Sequence, residues 1–107
     1  MTLRASLYRW DELVLEKVTE MVARKTILGA ETMLAQAYFK KGALVPVHAH
    51  PAEVFLYVLQ GAMRVHVDGE DVTVREGEVL VVPAGSSHQA AMLDDTFVLT
   101  VTPRIRG

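Results

Sequence analysis

Turn-forming residues interrupt this chain so often that long helices have no room to form. Residues 29–31, 40–42, 60–61, 68–70, 76–78, 83–85 and 93–95 each break a short apolar run with glycine, proline or acidic residues. Glycine and Asx residues supply the positive-φ and turn conformations that tight connections need. Beyond about residue 30 this spacing reads as many short strands. Asp68-Gly69 is the strongest hairpin signal, flanked by Met63–Val67 and by Val72, Thr73 and Val74. Met63, Val65 and Val67 alternate with Arg64 and His66, the period of a half-buried strand.

Other runs, at 54–59, 79–82 and 97–101, are apolar on both faces, so something must cover the second face. The set Phe55, Tyr57 and Leu59 is therefore a candidate homodimer surface; the alternative is packing between two sheets of one barrel. Residues 11–26 are ambiguous. Val14, Val18, Met21, Val22 and Lys25 fit a helical stripe, whereas Val18, Thr19, Val22 and Thr26 are β-branched and favour strand. The reading adopted is a short turn at 10–13 followed by strands, with a surface tail from Pro103 to Gly107.

A length of 107 residues fits a single domain, 1–107, and half of them are hydrophobic, enough for a core. A chain so short buries roughly two-thirds of its unfolded surface, which favours dimerisation. Lys plus Arg number 11 against 13 Asp plus Glu, a net charge of −2. That balance gives no footprint for nucleic acid or for a membrane surface. The absence of cysteine excludes disulfides and thiolate metal sites. Without a signal-like apolar run at the N-terminus or a membrane-length apolar stretch, a cytoplasmic location is expected.

Four histidines carry the remaining information. His48 and His50 stand two apart; in an extended strand such residues share a face, and two imidazoles can converge on one ion. His88 follows the turn 83–87 that ends the strand at 79–82. Spacing alone leaves open whether the three meet at a metal or are ordinary surface or hydrogen-bonded histidines. His66 lies among the polar positions of its strand and reads as solvated.

The run Gly42-Ala43-Leu44-Val45-Pro46-Val47-His48-Ala49-His50, closed by Gly61, resembles the first cupin motif. Gly77, Pro83, Gly85 and His88 resemble the second, so the two motifs span 42–61 and 77–92. The resemblance implies an all-β, double-stranded β-helix (a jelly-roll-like cupin barrel). It also implies a divalent metal on His48, His50 and His88, and commonly a dimer. Two positions depart from the pattern. Where the first motif usually places a Glu ligand this chain has Val54, with Glu53 one residue away, and only a bulge near 51–52 would bring Glu53 to the ion. The second motif's closing Asn is Met92.

Three neutral imidazoles with open positions fit a catalytic ion rather than a sealed structural one. Imidazole does not choose among Fe, Ni, Zn, Mn and Cu. From Trp10 onward the chain also resembles small cupins that open the ring of unsaturated uronates, most closely at 39–48 and 93–99. Those enzymes carry an acid and an aromatic residue where Thr100 and Thr102 stand here, and a threonine cannot serve as a carboxylate base near neutral pH.

The expectation is a metal-dependent enzyme acting on a small oxygen-rich substrate such as a sugar acid. Isomerase, lyase or dioxygenase chemistry is compatible with it, and no catalytic acid or base is assigned. The alternatives are a ligand-binding or sensing barrel, and a barrel whose metal site has decayed. Gln36, Tyr38, Leu56, Val58, Met92, Val98, Thr100 and Thr102 are the expected pocket walls.

Overall fold

The computed structural model describes residues 4–104. A 3-10 turn at Trp10–Glu12 leads into ten strands. These are β1 (Glu16–Thr19), β2 (Val22–Leu28), β3 (Thr32–Phe39), β4 (Leu44–His48), β5 (Val54–Gln60), β6 (Ala62–Val67), β7 (Glu70–Arg75), β8 (Val79–Val82), β9 (His88–Met92) and β10 (Thr96–Pro103). They form a six-stranded sheet in the order β1-β2-β3-β10-β5-β8 and a four-stranded sheet in the order β4-β9-β6-β7, with antiparallel pairing throughout. This is the jelly-roll barrel that the cupin motifs imply, built from the short strands expected from the rhythm of turns. The ambiguous segment resolves as the short turn and then β1 and β2, so β-branching prevails over the helical stripe.

Local chemistry sets the elements. Asp68 and Gly69 both have positive φ, 54° and 76°, as a two-residue type I′ turn demands between twisted strands. In β6 the side chains of Met63, Val65 and Val67 are buried and those of Arg64 and His66 exposed. The doubly apolar runs belong to the six-stranded sheet: β10 lies between β3 and β5, and β5 between β10 and β8. Their inner residues Val54, Val58, Val82 and Val98 meet Met63, Val65, Val74 and Met92 of the other sheet in one core.

The outer residues are not packed between sheets. Phe55 and Tyr57 remain 39% and 37% exposed, beside Val81 and Val79 of β8, which are also exposed. Leu59 departs from that set: it sits at the register shift between β5 and β10 and is only partly exposed. The expected surface tail also needs correction. Pro103 closes β10 opposite Thr32, and Arg104 donates its backbone N–H to the Glu31 carbonyl and a guanidinium N–H to that of Gly29. Residues 105–107 lie outside the described residues.

Gly61 links β5 to β6 at φ 85°. A Cβ there would collide with the Asp95 carbonyl oxygen and come within 2.7 Å of the Thr96 hydroxyl. That hydroxyl lies 2.8 Å from the Asp94 carbonyl and 3.0 Å from that of Ala62. Gly61→Ala is therefore expected to lower unfolding free energy by at least ~2 kcal/mol, combining left-handed strain with the clash. Urea denaturation checks this, and an unchanged midpoint would contradict it.

Candidate metal centre

The backbone brings the three histidines together through a fault in strand pairing. β4 and β9 pair Leu44 with Ala91 and Val45 with Ala90, then jump to His48 opposite His88. Pro46 and Val47 thus oppose Gln89 alone, which is a β-bulge. Without the extra residue, position 47 would face His88 and His48 would point to the other side. Burial follows this account: Ala43 and Val45 face inward, Pro46 and Val47 are exposed, and His48 and His50 turn inward again. Pro46 is tolerated because β4 is an edge strand and that position makes no ladder pair.

Loop contacts fix the rest. The Gly85 N–H donates to the His50 carbonyl at 2.8 Å, tying the turn before His88 to the segment that follows β4. Gly42 donates its N–H to the Met92 carbonyl, and Met92 its own to the carbonyl of Ala43. The two sequence motifs are therefore stitched to each other at both ends.

The imidazoles of His48 and His88 have ring centroids 4.2 Å apart; His48 to His50 is 5.0 Å and His50 to His88 is 6.1 Å. One nitrogen from each ring lies within 4.8 Å of the others, so a modest contraction suffices to share one ion at ~2.0–2.1 Å per bond. Carbonyl oxygens fix the tautomers of two rings. His48 Nδ1 lies 2.9 Å from the Pro46 carbonyl and His88 Nδ1 lies 3.0 Å from that of Ser86. A carbonyl only accepts, so both Nδ1 atoms carry the proton and both Nε2 lone pairs remain available to a metal. Burial, and then the neighbouring His48 and His88, hold His50 below the usual imidazole range, which favours its neutral, ligating form.

Glu53 is exposed and Val54 is buried in the core. Among the described residues the ligand group comprises the three histidines without Glu53. His66 stays on the outer face, its Nδ1 2.9 Å from an Asp71 carboxylate oxygen.

The histidines open onto a cavity of about 390 Å³ inside the barrel. Leu56, Met92, Val98, Thr100 and Thr102 line it as expected. Three expected wall residues do not. Gln36 and Tyr38 lie on the outer face, where Tyr38 stacks on Phe97 with ring centroids 4.4 Å apart. The inward residues of β3 are instead Ala35 and Ala37, one step out of phase with the expectation. Val58 is fully buried in the core and does not reach the cavity. The expected wall also omitted β1 and β2, which contribute Val18, Thr19, Val22 and Arg24. Pairing of Arg24 with Ala37, itself opposite inward Val98, places the guanidinium on the inner face. The evenly intermediate burial of β2 explains why hydrophobic alternation did not mark it.

An antiparallel jelly-roll barrel with three imidazoles facing an internal cavity defines the class. Residues 36–102 match the cupin domain family, and the chain belongs to that family. It is 26% identical to KdgF from Halomonas sp., with a TM-score of 0.85 and 96% of each chain covered. It is 24% identical to an RmlC-like cupin from Shewanella frigidimarina, with a TM-score of 0.86 over 99% of this chain and 96% of that one. Over 71 residues it is 28% identical to the polyketide synthase CurC of Streptomyces cyaneus, covering 65% of this chain and 46% of that protein. The chain thus spans less than half the length of that relative.

Because His50 is displaced downward from 6.5, it favours the folded state above that pH. This contribution is lost as pH falls through the lowered folded value. The melting temperature of metal-free protein should decline below about pH 6.5, and His50→Gln should flatten the decline. An identical decline in both proteins would assign the acid sensitivity to other groups.

Proposed function

We propose that this cupin is a metal-dependent enzyme that binds a small oxygen-bearing substrate in the barrel cavity beside one divalent transition ion. The observation that carries this reading is the grouping of His48, His50 and His88 around a point that opens onto the barrel cavity. The donor set fits a metal: two rings have their Nδ1–H groups committed to carbonyls, and the third is biased toward its neutral form. A bound ion would supply Lewis acidity toward a substrate oxygen and lower the pKa of a bound water. The protein's part is to hold three lone pairs in place, keep the full charge of the ion uncompensated and line the space beside it with mostly apolar walls. This geometry supports an intact site over a decayed one.

A binding or sensing role is the second reading. It is favoured by one observation: no aspartate or glutamate lines the cavity among the described residues, so proton transfer would have to use water or a substrate group.

Protein purified without an affinity tag should contain close to one equivalent of transition metal by elemental analysis. His88→Ala should lose most of it while keeping its β-sheet circular dichroism. Reconstitution with each of Fe, Ni, Zn, Mn and Cu, followed by a turnover screen with uronates, β-diketones and thiols, separates the readings. Consumption of a substrate supports the enzyme; tight binding without consumption supports the sensor; full metal retention in His88→Ala contradicts both.

The second expected partner is another copy of the chain. Phe55, Tyr57, Val79 and Val81 form an exposed apolar patch on the outer face of β5 and β8, and such a surface supports a homodimer. Sedimentation equilibrium is expected to give twice the chain mass, and Tyr57→Lys combined with Val79→Lys to give the monomer. A wild-type monomer at high micromolar concentration would contradict this.

A further inference from the structure

We infer that the barrel cavity selects an apolar-bodied molecule with one anionic oxygen head rather than a polyhydroxylated one, and that Arg24 is the protein's own contact to that head. This rests on the metal-dependent reading above and narrows its substrate class.

The walls carry the first half of the argument. Val22, Ala37, Phe39, Leu56, Met63 and Val98 typify a lining that is aliphatic or aromatic on both sheets. The polar groups are few. The Thr102 hydroxyl is shut off from solvent and unpartnered. That of Thr19 already accepts from the Met21 N–H. This leaves the O–H of Thr19, Thr100, Arg24 and the imidazoles. A sugar acid of several hydroxyls would surrender its water on entry and find too few partners, and a buried unpaired hydroxyl is costly. An apolar body gains from the same walls.

Charge carries the second half. The three imidazoles are neutral ligands, so a bound ion keeps its double charge. Arg24 adds a permanent positive charge at the cavity. The cavity offers no carboxylate to oppose either, among the described residues. Outside it, Glu16 reaches only Nε of Arg24, at 3.4 Å, with both side chains substantially exposed. Such a pair is weak and leaves the terminal guanidinium nitrogens for a ligand carboxylate or enolate, which they can hold as a fork.

Three probes of similar size test this by isothermal titration calorimetry on metal-loaded protein: 3-phenylpropionate, D-galacturonate and 3-phenylpropanol. The expected result is that phenylpropionate binds at least ~10-fold more tightly than either of the others. Arg24→Gln is expected to weaken phenylpropionate by about tenfold, leave phenylpropanol unchanged and leave metal content unchanged. Glu16→Gln should bind phenylpropionate at least as tightly as the wild type. Galacturonate binding equal to or tighter than phenylpropionate overturns the inference, as does a wild-type affinity in Arg24→Gln, or no binding of phenylpropionate at millimolar concentration. Metal content of the same samples keeps the two readings apart. If no metal is taken up, the metal-dependent reading fails, and the ranking of the three probes on metal-free protein still decides this one.

Discussion

The pairing of His48 with His88 across β4 and β9 is the contact on which the site depends. It exists because one extra residue bulges from β4, converting an inward series that begins at Ala43 and Val45 into one that continues at His48 and His50. The bulge is held from both sides. The Pro46 carbonyl at its centre accepts the His48 Nδ1–H, and the Gly85 N–H on the facing loop donates to the His50 carbonyl. A single backbone irregularity thereby orients a ring, fixes its tautomer and sets its distance from the ring opposite. The barrel around it supplies rigidity: His88 is buried on β9 opposite Val67 of β6, a strand whose Val65 and Met63 also lie in the core.

The six-stranded sheet serves two masters. Its inner face carries small residues, Ala35 and Ala37, where β3 crosses the cavity, and the space they leave is the room for a ligand. Its outer face carries Phe55 and Tyr57 exposed beside Val79 and Val81. Strands that are apolar on both sides thus divide their work between an internal chamber and an external surface. The chamber is mostly apolar, with few polar groups besides the imidazoles and Arg24, which is the arrangement of a site that orients a molecule by one end.

Much of this was legible in the chain itself. The Asp68-Gly69 turn, the alternation in β6, the motif glycines and the pairing of His48 with His50 on one face all follow from local stereochemistry. What escaped were quantities set by register. Gln36 and Tyr38 were expected inside, and Ala35 and Ala37 lie there instead, because alternation fixes which residues share a face and not which face is the inner one. The bulge at Pro46 and Val47 was equally hidden, since the sequence there continues an ordinary extended run. Arg24 stood in a stretch with competing helical and strand periodicities, and only its pairing with Ala37 reveals that it faces the cavity. The histidines' convergence was open on spacing alone and became an expectation through the cupin motifs.

X-ray absorption spectroscopy of the protein carrying one equivalent of its native metal tests the central claim most directly. The account predicts three imidazole nitrogens at ~2.0–2.1 Å, the remaining shell being light oxygen atoms from solvent. A shell with fewer than three imidazoles, or one whose imidazole count is unchanged when His88 is replaced by alanine, would contradict it.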